Sequence, residues 1–266
     1  MRIVTWNVNS LRARLPRVQE LLEAHRPEVV LLQETKLTPE QFPHEELAAL
    51  GYRAAEHSAG RWCGVAILAR EELTLTDPTH DLPGNPLPDE ARWLEATVDG
   101  IRFASVYVVN GRELGHEMYF RKLEFLEAMA ARAATLREAA VPVVIAGDMN
   151  VCPADIDLWD PAAMAGATHV SPAERAALAA VRERGDLVDA HVHRWGAGAQ
   201  QFTWWDYRGG SFHKNLGLRI DHHLVSRDLA PAISDVQILR ELRKGHKPSD
   251  HVPLELTLTR THRSPR

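Results

Sequence analysis

VPVVIAGDMN, residues 141–150, decides the fold. Its first six residues are almost wholly apolar, which suits a strand covered on both faces. The chain then turns polar at once, with Asp148 and Asn150. The same grammar recurs elsewhere. Residues 28–32 (EVVLL) form another apolar run, followed directly by Gln33 and Glu34. Residues 2–6 alternate like a strand and lead into Asn7 and Asn9. Asp221 sits inside the apolar stretch 218–225, and Asp250 with His251 precedes a last strand at 253–259. Further strands are expected at 63–69, 93–98, 101–109, 187–190, 201–205, 218–226 and 235–240, with a Pro/Gly-rich loop near 77–90.

Three longer helices lie between them. Residues 11–25 place Leu11, Leu15, Val18, Leu21 and Leu22 at helical spacing, and Pro27 ends the run. Residues 117–139 put Phe120, Leu123, Leu126, Met129, Ala130 and Ala133 on one face. Residues 171–184 open on Ser171, Pro172 and Glu174, a capping-box start, and Gly185 is expected to stop them. Strands are too many for simple βα alternation. Two packed sheets with helices outside is the natural arrangement. No low-complexity linker interrupts the chain, so a single domain is expected over 1–260, with a flexible polar tail at 261–266.

Bulk composition narrows the classes. Hydrophobic content of 45% and charged content of 25% are ordinary for a soluble globular chain. No basic stretch with an apolar h-region follows Met1, and no apolar stretch approaches the ~20 residues that span a bilayer. A cytoplasmic protein without membrane contact is expected. Cys63 and Cys152 form no C-x-x-C pair, which argues against structural zinc. The net charge of −5 argues mildly against nucleic acid, but phosphate binding needs only a local basic surface and a metal.

Carboxylates and amides at so many strand ends would form an oxygen-rich pocket if the ends converge. Hard oxygen donors favour Mg²⁺ or Mn²⁺ over zinc. Each motif alone has a plainer reading. Gly147-Asp148-Met149-Asn150 is also an ordinary turn. Glu34 with Lys36 is also a solvated surface pair, Asp250 a turn cap, and His251 a hydrogen-bonded structural histidine.

Taken together, TWNVNS (5–10), LQETK (32–36), YVVNGRE (107–113), AGDMNV (146–151), NLGLRIDHHL (215–224) and PSDHVP (248–253) resemble the exonuclease III family of AP endonucleases, in that family's order. The resemblance spans residue 2 to about 259. It implies an α/β (α+β) four-layer αββα sandwich, two mostly antiparallel sheets flanked by helices. It implies Mg²⁺-dependent hydrolysis of double-stranded DNA at abasic sites and 3′ ends, with Mn²⁺ as a substitute, by a monomer. Asn7, Glu34, Asp148, Asn150, Asp250 and His251 are the implied metal set, with Glu34 the main ligand. The implied catalytic set is Tyr107, Asp148, Asn150, Asp221, Asp250 and His251. In it Asp148 orients or deprotonates the attacking water, and Asn150 holds that water or the phosphate. His251 contacts the phosphate, and Asp250 either orients it or touches metal. Asp221 orients its neighbours, and Tyr107 places its phenol near the leaving group.

Residues 202–208 (FTWWDYR) carry Trp204 and Trp205, which strand alternation sends to opposite faces. Both also read as core aromatics. The resemblance implies that this segment borders a pocket for a sugar lacking its base. Asn110, Arg112, Arg208, Lys214, Asn215 and Arg219 join the two tryptophans as DNA-contact candidates, each of the basic ones also a plain surface residue. Residues 10–14 could present further basic groups at a helix N-terminus. Val109 stands where many relatives have proline, which is expected to loosen the turn carrying Asn110. Two other readings stay open: a same-fold phosphoesterase acting on inositol phosphates or lipids, and a non-catalytic DNA-binding module.

Overall fold

The computed structural model describes residues 1–259, so the expected tail at 261–266 lies outside the described residues. In chain order the elements are β1 (Arg2–Asn7), α1 (Leu11–His25), β2 (Val29–Gln33), α2 (His44–Ala48), β3 (Tyr52–His57), β4 (Val65–Arg70) and β5 (Leu75–Thr79). Then come β6 (Trp93–Val98), β7 (Ile101–Tyr107), α3 (Glu117–Glu138), β8 (Val143–Asp148), α4 (Pro172–Gly185), β9 (Leu187–Asp189) and α5 (Ala190–Trp195). The chain continues with β10 (Trp204–Trp205), α6 (Ser211–Lys214), β11 (Gly217–Leu218), β12 (Asp221–Ser226), β13 (Ile233–Ile238) and β14 (Leu254–Leu258).

Two six-stranded sheets result, ordered β13-β14-β1-β2-β4-β3 and β5-β6-β7-β8-β12-β9. Each contains one parallel pair, β1 with β2 and β7 with β8, and is otherwise antiparallel. Alternation along each strand feeds two apolar layers. In β1, Ile3 enters the layer between the sheets, while Val4 and Trp6 pack outward on Val18, Leu21 and Leu22 of α1. In β8, Val144 and Ala146 face inward, while Val143 and Ile145 meet Phe125, Met129 and Val181 of α3 and α4. Four layers follow, α-β-β-α, and each fully buried Val, Leu or Phe stabilises them by about 1.5–3 kcal/mol.

The layer between the sheets is not wholly apolar. Thr5 Oγ1 donates to Gln33 Oε1 (3.3 Å), and Gln33 Nε2 donates to Ser105 Oγ (3.1 Å) across to the other sheet. Ser105 Oγ donates back to the Leu32 carbonyl (3.0 Å). Because buried polar groups are costly unless paired, this chain of bonds sets how the sheets align. It lies just beneath the strand ends that carry Asn7 and Tyr107.

The structure departs from the sequence expectations at several elements. The β3 and β5 edge strands were not anticipated; they carry half-exposed charged residues and Pro78, a poor strand signature tolerated only at an edge. Leu218 and Asp221 belong to separate strands, so Asp221 opens β12 rather than lying within a strand. α4 includes Gly185, and Asp186 takes the left-handed cap. On α3 the buried face runs through Tyr119, Lys122, Phe125 and Met129, and Phe120 is 53% exposed. A helix with an ionisable residue on its inner face misleads a purely apolar pattern.

Candidate active site

β1, β2, β7 and β8 run parallel in pairs, and their C-terminal ends open on one rim of the sandwich. Register places Tyr107 beside Asp148, and Asp148 beside Asp221. The 248–253 segment is drawn to the same rim. Ser249 Oγ donates to the Asn7 carbonyl (2.7 Å), Trp6 Nε1 donates to the His251 carbonyl (3.1 Å), and the Trp205 amide donates to the Asp250 carbonyl (3.1 Å). Gly147 is obligatory at its position. A Cβ there would lie 1.9 Å from the Val106 carbonyl oxygen, so only glycine lets β8 approach β7 and deliver Asp148. Glu34 (φ 52°) and Asn150 (φ 50°) both adopt left-handed backbone, a strain that clusters at functional sites.

The acids converge. One ligand atom each from Glu34, Asp148 and His251 lies within 4.8 Å of the others. Asn7 Nδ2 bridges the two carboxylates, donating to Glu34 Oε1 (2.7 Å) and Asp148 Oδ2 (3.0 Å). Lys36 pairs with Glu34 (2.8 Å) and donates to Asn9 Oδ1 (2.6 Å), so the Glu34–Lys36 pair belongs to the site margin rather than open surface. His251 Nδ1 donates to Asp221 Oδ2 (2.8 Å), and its Nε2 faces Asp148 Oδ2 at 3.7 Å. The Asn150 amide N–H donates to Asp148 Oδ1 (3.0 Å).

Electrostatics follow from this crowding. Burial, reinforced by Asp221 and Glu34, pushes the Asp148 carboxyl up to about 7 against His251 and Asn7. Burial disfavours a charged His251, but Asp221 and Asp148 outweigh it and hold the imidazolium up to about 10. Burial and the neighbouring Glu34 drive the Tyr107 phenol well above its ordinary value, with Arg92 acting the other way from 4.5 Å over the ring. Donor chemistry therefore fits a hard divalent cation at Glu34 and Asp148, with the Asn7 amide turned to both.

Of the expected metal set, Asp250 stands apart from the converging groups. His251 stays with Glu34 and Asp148 among the converging groups, its Nδ1 on Asp221 and its Nε2 towards Asp148. Asp250 takes hydrogen bonds from Trp204 Nε1 (3.0 Å) and Asn9 Nδ2 (3.1 Å) and lies outside the Glu34–Asp148–His251 trio. Asp221, not Asp250, orients His251. Asn150 gives its Nδ2 to the Val108 carbonyl (2.9 Å) and takes Asn110 Nδ2 on its Oδ1 (3.4 Å).

The site opens into a cavity of about 150 Å³ lined by Glu34, Tyr107, Asn110, Asp148, Trp204 and His251, among others. A larger cavity of about 340 Å³, walled by Trp195, Phe202 and Arg240, gathers no carboxylate, so the chemistry selects the smaller one. Of the DNA-contact candidates, Asn110 and Trp204 border the site. Arg112, Arg208, Lys214 and Asn215 are exposed, Arg208 against Asp206 and Asn215 against Arg240 and Trp205. Trp205 and Arg219 are corrected. Trp205 is 0% exposed in a cluster with Phe202 and Val252, and Arg219 is buried between Asp157 (2.6 Å) and Asp189 (2.8 Å). The turn at Val109 is not loose: Asn110 Oδ1 accepts the Arg112 amide (3.1 Å), and its carbonyl accepts Lys122 Nζ (3.3 Å) with Thr168 Oγ1 3.2 Å away.

Asn9, noted in the sequence only as a polar residue after β1, bonds Asp250 at the site margin, and the sequence pattern passed over His169, Lys122 and Glu174 in or behind the site wall. On the loop whose Cys63 and Gly64 carbonyls accept the Lys36 and Thr35 amides, Trp62 is 71% exposed beside Arg61. The capping-box glutamate was the signal available for Glu174; His169 and Lys122 had none.

Residues 4–251 match the model of the Endonuclease/Exonuclease/phosphatase family. The chain is 32% identical to exodeoxyribonuclease III of Haemophilus influenzae, over 96% of this chain and 98% of that one. Among solved structures, the 3′-5′ exonuclease NExo of Neisseria meningitidis superposes with a TM-score of 0.93 at 37% identity, covering 97% of this chain and 99% of that one. A second NExo structure, described as a 3′ phosphatase bound to product DNA hairpin, gives 0.92 at 37% identity over the same shares. An AP endonuclease from Archaeoglobus fulgidus gives 0.92 at 30% identity, covering 97% of this chain and 99% of that one. The strand-end acids, the rim on which they meet and the near-complete likeness to these relatives agree: this chain belongs to the endonuclease/exonuclease/phosphatase family, beside the exodeoxyribonuclease III enzymes.

Proposed function

We propose that this chain is a Mg²⁺-dependent DNA-repair phosphoesterase that hydrolyses phosphate esters in double-stranded DNA at 3′ ends and on the 5′ side of abasic sites. The observation that carries the reading is the convergence of Glu34, Asp148 and His251 within 4.8 Å at the open end of the sandwich. Glu34 and Asp148, with Asn7 beside them, would hold the cation. Once bound, Mg²⁺, or Mn²⁺ in its place, polarises a phosphoryl oxygen and offsets the charge that builds there.

The chain's own groups supply the rest. Asp148 orients the attacking water and takes its proton; a carboxyl raised to about 7 suits a general base. His251 donates from Nε2 to a phosphoryl oxygen, and Asp221 keeps it charged and aimed. Tyr107, protonated throughout, offers its phenol to the oxygen that leaves in line as a 3′-hydroxyl. Asn150 and Asn110 line the pocket as hydrogen-bond donors. No covalent intermediate is needed, and Cys152 is a buried bystander.

Trp204 walls the sugar pocket. Arg112, Arg208, Lys214, Asn215 and the Arg61–Trp62 loop are candidates for the DNA backbone, a local basic rim on a chain of net charge −5. The relatives divide the substrate: NExo is described as a 3′-5′ exonuclease and 3′ phosphatase, the Archaeoglobus protein as an AP endonuclease. One hydrolytic centre serves both. Among the described residues no helix is long and apolar enough to cross a membrane. We place the protein in the cytoplasm as a monomer.

The test is a matched pair of labelled duplexes, one with a 3′-phosphate and one with an internal abasic site, each incubated with Mg²⁺, Mn²⁺ or chelator. Metal-dependent release of phosphate or incision supports the reading, and their ratio assigns the substrate. Silence on both duplexes with either metal removes it. Hydrolysis of inositol phosphates instead would move the chain to another branch of the family.

A further inference from the structure

Behind the site wall, α3 and α4 face each other across an ion pair. Lys122 and Glu174 are both 0% exposed, and Lys122 Nζ contacts Glu174 Oε1. An ammonium this deep is a poor source of stability, since an apolar pair of similar volume would serve packing as well or better. Its other bonds explain what it does. Lys122 Nζ donates to the Asn150 carbonyl at 2.6 Å and to the Asn110 carbonyl at 3.3 Å. These are the two residues whose side chains reach the reaction pocket from separate loops. Asn150 sits at φ 50°, and Asn110 precedes Gly111 at φ 91°.

Glu174 in turn holds the cradle. Its Oε1 accepts from Thr168 Oγ1 (2.8 Å) and the His169 amide (2.9 Å), and its Oε2 from the Ser171 amide (3.0 Å). Thr168 Oγ1 also lies 3.2 Å from the Asn110 carbonyl. Tyr119 and Ser171 close the far side at 2.8 Å.

We propose that Lys122, fixed by Glu174, is a positioning residue: it pins two backbone carbonyls and thereby aims the Asn150 and Asn110 side chains at the phosphate. The proposal rests on the phosphoesterase reading. Neither Lys122 nor Glu174 touches substrate. A side chain that acts only by aim should affect turnover more than substrate affinity.

The experiment compares Lys122→Met, the paired Lys122→Met/Glu174→Leu, and Glu174→Gln, by melting temperature and by kcat and KM on the duplexes above. Lys122→Met should lose both stability and turnover, because it strands a buried carboxylate. The paired variant should recover its melting temperature yet keep kcat down by about 10–100-fold, with KM within about threefold. Asn150→Ala should then cost the paired variant much less than it costs the parent, because a misaimed group has little left to lose. A paired variant that melts and turns over like the parent overturns the proposal, as does full additivity with Asn150→Ala. Should the paired variant fail to fold, Glu174→Gln decides, with a kcat fall of about 3–10-fold expected and an unchanged kcat overturning. Absence of metal-dependent hydrolysis by the parent chain would instead remove the phosphoesterase reading itself.

Discussion

Two polar clusters lie back to back on neighbouring residues of β12, and they are built on opposite principles. Asp221 faces between the sheets into the site with His251, Asp148 and Glu34. His222 turns to the other side, where Arg219 lies between Asp157 and Asp189, and His222 Nε2 bonds the Val151 carbonyl (3.0 Å). In the second cluster a guanidinium answers the acids. Burial alone would raise the Asp189 carboxyl, but Arg219 and His222 hold it well below its ordinary range. In the first cluster, carboxylates crowd together. Asp148 is driven up to about 7, and Asp221 Oδ1 is buried with no hydrogen-bond partner. A satisfied network is a structural tie. One short of positive charge is a place built to receive some.

The sharpest way to break this comparison is to neutralise one charged group on each side. Asp148→Asn should lower kcat on a DNA ester by roughly a thousandfold or more, as loss of a general base with a cation ligand does, while the fold stays intact. Rapid-quench kinetics beside circular dichroism would check it; near-normal turnover would deny Asp148 its role. Arg219→Met should do the reverse. It leaves two buried carboxylates unanswered and should cost about 3–5 kcal/mol in urea unfolding, with turnover per folded molecule nearly unchanged.

Metal addition sharpens the contrast. Mg²⁺ at a hundredfold excess over its Kd should stabilise the parent by about 2.7 kcal/mol, and Glu34→Ala should abolish that gain. Equal stabilisation of both proteins would place the cation elsewhere. The smallest effect concerns pH without metal. Asp148 has a raised folded value, so its charged form is disfavoured by folding, and stability is lost as pH rises from 3.8 towards about 7. Asp189 has a depressed value, so its contribution is present above 3.8 and lost as pH falls through the folded value. In chelator, Asp148→Asn should therefore be more stable than the parent at pH 8 by roughly 1–3 kcal/mol, and about equal to it near pH 4. Unfolding curves at the two pH values test this, and a stabilisation that grows towards acid would contradict it.

Much of this was legible in the chain. The apolar runs at 28–32 and 141–146 became central strands, and Glu34 and Asp148 fall where each run ends. The capping box at Ser171 and Glu174 formed as read. Legibility failed where one residue serves two purposes. Lys122 lies on an inner helix face among apolar neighbours, so period alone passed over it. Arg219 sits in a basic-looking motif, yet its charge is spent on Asp157 and Asp189, far along the chain. Trp204 and Trp205 look alike in sequence, but only Trp204 reaches the pocket, because a single step along a strand exchanges faces.

From the order of its amino acids the chain determines its central strands, two helix-covered sheets and the residue types a hard cation wants, since period and side-chain chemistry are local properties. The tertiary structure alone decided that Asp221 rather than Asp250 steers His251, that Trp205 and Arg219 are interior, and that an ion pair hidden behind the wall holds Asn110 and Asn150. Those outcomes depend on distances between groups remote in the chain, and on which charges lie deep enough to need a partner.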